Sequence, residues 1–402
     1  MTHQHADMIA REDAVTQVLA QREAVLADRP SERVPLAEIS GRTLAEAIVA
    51  DADVPAHDRA TMDGYAFDAT DDYPLSIGQS ELYPEDEPPS IDPGEAVEIA
   101  TGAPLPHGAN TVLKRELATV EDGHVSGPSI EPGTYTYERA SNVTAGETLF
   151  ETGERLSPKD AIFLGDLGHE TVSVAQRLSV GLLATGTEIH EGRSDDLDSP
   201  MLAGLIESWG HEATVEGSVP DDADRVRDAI ADLADRFDVV VTTGGTSVGH
   251  KDHVIRSLAD LGEVHFHRVR VRPGKPIALA TLPDAVAFAI PGKPVGAHTI
   301  AALVARPFFT GDSSLPTIEA TFARDLEMGP EGFEYAVPVT LEEGVAMPLG
   351  HVDSPLSVYE RTYDPSVLSS SPRATRADGF VLTETALSAD EPVDVVPYAV
   401  VE

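Results

Sequence analysis

The chain has 402 residues, 41% of them hydrophobic, enough for roughly two to four domains with cores of their own. Its 28 Lys and Arg against 69 Asp and Glu give a formal net charge of -41, spread along the sequence rather than gathered in a tail, which disfavours DNA, RNA and anionic lipid as partners. Cysteine is absent, which excludes disulfides, thiolate metal sites and a cysteine nucleophile.

The acidity reads as adaptation to a salty, halophilic cytoplasm, because self-repulsion is screened within about 3 Å at ~1 M salt. Residues 1–13 carry His3, His5, Asp7, Arg11 and Glu12 where a secretory signal needs a basic start and an apolar stretch, and no apolar run reaches membrane-spanning length. A cytoplasmic protein is expected.

Val15, Val18, Leu19, Arg22, Val25 and Leu26 fall at helical spacing and predict an amphipathic helix over Arg11–Ala27. A second helix is predicted from Leu36 to Val49, with Leu44 and Ile48 on one face. From Asp51 to about Ala145 short extended pieces are broken by Pro, Gly and Asp, which reads as a β-rich domain. After Ser173 strands and helices alternate: "LSVGLLATG", "PMLAGLIESWG", "EATVEGSV", "ADRVRDAIADLADRF", "DVVVTTGG", "DHVIRSLADLG", then strands "VHFHRVRV" and "VAFAIPG" and the apolar helix "VGAHTIAALVARPFF". Nearly continuous apolar strands predict a parallel sheet covered on both faces, with ligands at the carboxyl ends of the strands. From Thr317 to Glu402 the period switches to two, predicting a small all-β domain.

Three of the α/β strands end in small polar residues: Thr185-Gly186-Thr187-Glu188, the run Thr242 to Gly249 with Gly244, Gly245 and Ser247, and Pro291-Gly292-Lys293-Pro294. Glycines after a strand let backbone approach a ligand, and N–H groups at the next helix start hold phosphate. Any one of these loops alone reads as an ordinary strand-to-helix turn; three on one edge point to a crevice lined for an anion. Neither dinucleotide-binding nor ATPase phosphate-loop spacing occurs.

The only lysines are Lys114, Lys159, Lys251, Lys275 and Lys293, and two of the five sit in copies of Pro-Gly-Lys-Pro, the first preceded by Arg272. Proline on both sides restricts the loop and lowers the ordering cost when the amine meets an anion. Asp252 either caps the helix beginning near His253 or holds Mg²⁺ against phosphate oxygens, and Glu188 has the same two readings. By residue type Asp63-Gly64 is a tight turn.

The ordered segments "PAHDRATMDGYAFDATD", "EIATGAPLPHGANTVLKRE", "LSVGLLATGTEI", "DVVVTTGGTSVGHKDH", "RVRPGKPIALA" and "AIPGKPVGA" resemble the molybdopterin molybdenumtransferases, the MoeA and gephyrin E-domain family. The resemblance covers essentially the whole chain, the last β domain more loosely. It implies a multidomain α/β fold: an N-terminal linking domain with a helical segment (1–50 and 148–173), a β-rich inserted domain (51–147), a three-layer parallel-sheet molybdopterin-binding domain (174–312) and a small C-terminal β-barrel (313–402). It implies molybdate insertion into adenylylated molybdopterin with release of AMP, Mg²⁺ as cofactor, and a homodimer whose site is shared between subunits. By motif, Asp63 and Thr101 face the substrate across the dimer, and Glu188, Asp221 and Asp252 hold the cation and pyrophosphate. Thr185, Gly186, Gly244, Gly245, Ser247, Gly249, Pro291 and Pro294 line the pterin and phosphate groove, and Lys275, Arg272 and Lys293 lie by molybdate. A molybdopterin adenylyltransferase and molybdoenzymes are further expected partners.

The chain departs from the family pattern at Lys293, where asparagine is usual, at Thr148 in place of an aspartate, at Tyr335 in place of an arginine, and at Pro200 after Asp198-Ser199. These changes bear on catalytic efficiency and on the choice between molybdate and tungstate. Two other readings stand beside the insertion reaction: a molybdopterin adenylyltransferase, and a paralogue that binds or carries molybdopterin without chemistry.

Overall fold

The computed structural model describes residues 8–78, 80–245 and 253–402. The chain forms two compact units, one of Met1–Ala45, Gly153–Ala161 and Thr171–Glu402, the other of Glu46–Thr152 and Ile162–Glu170. None of the described helices is long and apolar enough to cross a membrane.

The first unit is built on a six-stranded sheet in the order Glu212–Val219, Ser179–Thr185, Val239–Thr243, Val286–Ile290, Ala278–Thr281, Glu263–Phe266. The first four strands are mutually parallel, as their apolar runs predict. Leu182, Val241 and Phe288 point to one face, where Val18 of the Arg11–Ala27 helix and Leu202 of the Asp198–Ser208 helix cover them. Leu183, Val240 and Ala287 point to the other, under Ile230 of the Ala223–Ala234 helix and Leu258 of the His253–Leu261 helix. Helices on both faces make the three layers.

Ala278–Thr281 runs antiparallel to both its neighbours, so the sheet is not purely parallel. Only residues 282–285 join it to Val286–Ile290, closed by the Leu282 N–H donating to the Ala285 carbonyl. So short a link can return only an antiparallel strand. The run "VHFHRVRV", predicted as one strand, divides between two sheets. Glu263–Phe266 stays in the α/β sheet, while Val271–Arg272 pairs in parallel with Glu334 and Tyr335.

The helix predicted from Leu36 to Val49 is not formed beyond a single turn at Leu36–Glu38. Leu44 and Ala45 instead donate N–H bonds to the carbonyls of Glu154 and Ser173, and Ile48–Val49 is a strand. Long-range backbone pairing outweighs the short apolar period that suggested a helix.

At the C-terminal end, Glu334–Glu342, Val345–Pro348, Ile318–Phe322, Pro392–Pro397 and Gly379–Thr383 pair in that order, and the last pairs back to the first, closing a five-stranded barrel. Phe322, Phe333, Tyr335, Tyr359 and Tyr363 fill its core. The second unit carries a six-stranded sheet in which Gly64–Phe67 lies between Thr111–Lys114 and Glu95–Ile99.

Phe288, 1% exposed, packs its ring against Phe308 and Phe309 at centroid distances of 5.4 and 6.2 Å. Phe288→Ala is expected to cost about 3–5 kcal/mol by chemical denaturation, whereas Ile162→Ala, at a side chain 79% exposed, is expected to stay within about 0.5 kcal/mol.

Candidate active site

The two Pro-Gly-Lys-Pro loops meet. The first follows Val271–Arg272, and its Gly274 has φ +106°, a backbone conformation that side chains rarely adopt. A Cβ there would stand 2.7 Å from Cβ of Ile300 and 3.0 Å from the Gly296 carbonyl, so only glycine lets this loop rest on the helix Pro294–Ile300. The second loop leads into that helix, with Pro294 in its first turn.

Between the loops lies a cleft of about 280 Å³ lined by Arg272, Lys275, Pro291, Lys293 and Gly296, and from the barrel region by Pro365, Ser366 and Ser369. Lys293 Nζ donates to the Ser366 carbonyl at 3.0 Å. The Arg272 guanidinium sits over the Phe333 ring, 4.2 Å from its centroid, which fixes its plane at the cleft wall. Burial lowers the Lys275 pKa, and the charges of Arg272 and Arg268 lower it further. Cations so placed repel one another until an anion comes between them.

The other strand ends join this edge. Thr185 Oγ1 donates to the Thr243 carbonyl at 3.1 Å. Gly244 crosses directly over Thr185, where a Cβ would come within 2.6 Å of the Thr185 carbonyl oxygen. A Cβ on Gly292 would stand 3.0 Å from Cα of Gly244, so the second Pro-Gly-Lys-Pro loop touches the Thr-Thr-Gly-Gly turn. Asp221 reaches back to the next loop: its N–H donates to Thr187 Oγ1 at 3.0 Å and its Oδ2 accepts from the Thr187 N–H at 3.4 Å. Glu188, exposed, follows immediately.

Thr185, Gly186, Glu188, Asp221, Gly244, Gly245, Arg272, Lys275, Pro291, Lys293 and Pro294 are thus gathered along one edge of the first unit. Ser247, Gly249 and Asp252 lie outside the described residues. Among the described residues no three His, Asp or Glu side chains form a metal-binding group. Asp221 is bonded to Thr187, and Glu188 Oε1 lies 3.0 Å from where a Cβ on Gly186 would stand; both carboxylates are hard oxygen donors of the kind Mg²⁺ takes one or two at a time together with substrate phosphates.

Asp63 and Thr101 belong to the second unit and bond each other. The Thr101 N–H and Oγ1 both donate to Asp63 Oδ1 at 2.7 Å, and these bonds, with the charge of Arg115, hold the Asp63 pKa below the usual carboxylate value. Gly64 begins the strand Gly64–Phe67 rather than serving a turn, and its bare Cα faces the Leu113 carbonyl across the sheet. Of the departures, Tyr335 is 1% exposed in the barrel core with its hydroxyl on the Pro330 carbonyl, and Thr148 is an exposed strand residue of the second unit.

Asp198 and Ser199 were noted in the sequence only as the residues before Pro200. Asp198 is 7% exposed, and its Oδ2 lies 3.9 Å from where a Cβ on Gly292 would be. Among the described residues its Oδ1, Ser199 Oγ and Thr242 Oγ1 are buried without hydrogen-bond partners. No pattern in the sequence marks these atoms, since their burial arises only once the chain has packed.

Comparison with known proteins bears on this edge directly. A family profile described as "MoeA N-terminal region (domain I and II)" matches residues 9–168, and one described as "Probable molybdopterin binding domain" matches residues 181–311. The molybdopterin molybdenumtransferase of Synechococcus elongatus is 30% identical over 302 residues, 69% of this chain and 74% of its own length. That of Haemophilus influenzae is 30% identical over 279 residues, 66% of this chain and 69% of its own. This chain belongs to the molybdopterin molybdenumtransferase family. Crystal structures of the molybdopterin biosynthesis MoeA protein from Pyrococcus horikoshii match 97% of this chain. One is 27% identical with a TM-score of 0.72 over 99% of its own chain, the other 23% identical with a TM-score of 0.73 over 100%. In this molybdenumtransferase-family chain the strand-end edge falls within the segment that matches the molybdopterin-binding profile, apart from the barrel's contribution at Pro365, Ser366 and Ser369.

Burial, and then the neighbouring Asp196, push the Asp198 pKa up to about 6. The folded state therefore holds this proton more tightly than the unfolded chain, and the stability it contributes is lost as pH rises from about 4 to 6. Asp198→Asn, neutral throughout, is expected to gain about 2 kcal/mol relative to the wild type between about pH 4 and pH 6.5. Paired melting curves across that range check it, because the other carboxylates cancel in the difference.

Proposed function

We propose that this chain inserts molybdenum, taken up as molybdate, into adenylylated molybdopterin and releases AMP, with Mg²⁺ as cofactor, as a cytoplasmic homodimer adapted to high salt. The observation that carries the reading is the meeting of both Pro-Gly-Lys-Pro loops and Arg272 on one cleft, in a chain of net charge -41. A strongly acidic protein repels oxyanions in general, so a local group of cations on stiff loops is what a dianion such as molybdate requires.

In this reading Lys275, Arg272 and Lys293 hold molybdate by charge-assisted hydrogen bonds. Backbone N–H groups of Thr185, Gly186, Gly244 and Gly245 receive the pterin and phosphates, with Ser247 and Gly249 assigned to the same groove and Pro291 and Pro294, which have no N–H to give, lining it. Glu188, Asp221 and Asp252 would hold Mg²⁺, which when bound supplies positive charge against the leaving phosphate oxygens. Asp63, kept ionised by Thr101, is assigned to the partner protomer's substrate, where its fixed carboxylate orients a donor group. Relatives named molybdopterin molybdenumtransferase support the same reaction.

The test is AMP release from adenylylated molybdopterin with molybdate and Mg²⁺ in about 1 M salt, where the protein's own field is screened. Molybdate-dependent release is expected; tight binding without release would leave only a carrier. Replacing Lys275 and Lys293 together by Met is expected to lower kcat/KM for molybdate by about tenfold to several hundredfold, the loss of one or two charge-assisted hydrogen bonds. Running the assay with tungstate compares the two oxyanions.

Mixing Asp63→Asn chains with Lys275→Met chains examines the shared site. If each site takes Asp63 from one protomer and Lys275 from the other, half the mixed dimers are hybrids with one intact site each, and activity returns to about a quarter of wild type. A site contained in one protomer would give no recovery.

A further inference from the structure

The first unit holds a second collection of cations that the proposed reaction does not use. A cleft of about 590 Å³ is lined by Ser40, Arg155, Ser157, Arg177, Ser208 and Asp312, among others, and shares no residue with the Pro-Gly-Lys-Pro cleft. Behind it lie two buried arginines. Arg22 is 8% exposed; its guanidinium donates to Thr43 Oγ1 at 3.3 Å, and Gly311 passes so close that a Cβ there would stand 2.9 Å from Cζ. Arg306 is 4% exposed and donates to the carbonyls of Ala302 and Ser314, with Asp312 at 3.5 Å.

Arg155 gives an Nη2 bond to the Trp209 carbonyl at 3.1 Å, while its buried Nε has no partner among the described residues. Among the described residues no carboxylate stands within ion-pair distance of Arg22, Arg155 or Arg177. Burial above all pulls both Arg22 and Arg155 below the ordinary arginine value; the charge of Arg155 lowers Arg22 further and that of Arg306 lowers Arg155, with Glu23 and Asp312 respectively offsetting part of the effect. Guanidinium groups do not lose their protons in proteins, so the charges stay and are only partly balanced.

The neighbouring groups do not supply the balance. His211, its ring between the Leu178 N–H and the Phe309 carbonyl, is pushed down to about 4 by burial and stands as an uncharged wall. Asp312 is engaged with Arg306, and Glu207 and Glu23 are exposed, where water screens them. A chain with only 28 cationic side chains has placed four in one region, three of them without an ion pair.

We propose that this cleft is a second anion site, which takes a tetrahedral oxyanion of the phosphate class between Arg155 and Arg177, with Arg22 and Arg306 supplying field from behind. Planar guanidinium forks pair with phosphate oxygens through two parallel N–H bonds, and Arg155 and Arg177 both line this cleft. The phosphate is either inorganic or the exposed end of a nucleotide.

The test uses the full chain at constant ionic strength, titrated with sodium phosphate, AMP or sodium chloride while the melting temperature is followed. Phosphate is expected to raise it saturably and further than chloride does, as a ligand of the folded state must. A rise with AMP that is lost in Arg177→Gln identifies the nucleotide end as a ligand of this cleft, since AMP bound at the proposed reaction site would survive that change; a rise with phosphate alone identifies the inorganic form. Arg155→Gln and Arg177→Gln are each expected to weaken the apparent affinity about tenfold, whereas the chain with Lys275→Met and Lys293→Met keeps the response. Arg177 is exposed, so its variant folds and decides the matter even where Arg155→Gln does not. Phosphate acting no better than chloride, a response unchanged in Arg177→Gln, or a response lost only with the two lysines would each overturn the proposal. The AMP-release assay is independent of all three results.

Discussion

The strand-end loops touch through glycines, at approaches that leave little or no room for a side chain. Gly292 against Gly244 and Gly274 against the Gly296 carbonyl are approaches of 3.0 Å measured from the position a Cβ would take. These contacts let three separate segments share one short edge, and they determine how near Lys275 can come to Lys293. Side-chain chemistry at the site is thus downstream of backbone packing: the cations are effective because the glycines beside them are absent of bulk, and the prolines beside those keep the loops from relaxing apart.

Charge is the second constraint. Sixty-nine acidic residues distributed over 402 make anion capture unfavourable almost everywhere on this surface. Lysine is correspondingly rare, and some arginines form ion pairs that tie distant segments together, such as Arg11 with Glu334, Arg29 with Asp238 and Arg42 with Glu32. Cations left over from such pairing are informative in a way they would not be in a neutral protein.

Much of this was legible in the residues. The α/β strands announced themselves because a strand buried on both faces has no polar period to hide it, and Arg11–Ala27 because its apolar positions recur at helical spacing. The segment from Leu36 to Val49 misled because Leu44 and Ile48 match a helical period while their backbone is claimed by Glu154 and distant strands. "VHFHRVRV" misled because alternation reports a pleated chain but not which sheet it joins. At the site, the lysine loops could be found from their repetition. Asp198, Thr242, Ser366 and Ser369 could not, since burial and proximity arise only after segments far apart in sequence have packed, and Tyr335, which reads as an exchange bearing on catalysis, is a core side chain.

Val271–Arg272 is hydrogen-bonded to the first strand of the closed barrel, and the barrel region also supplies Ser366 and Ser369 to the opposite rim of the cleft. The first lysine loop is therefore suspended between two bodies, held at one end by the α/β sheet and at the other by the barrel. Displacement of the barrel can widen or narrow the opening without altering a single residue of either loop. The width of the mouth is thus governed from outside the two turns that furnish its charge.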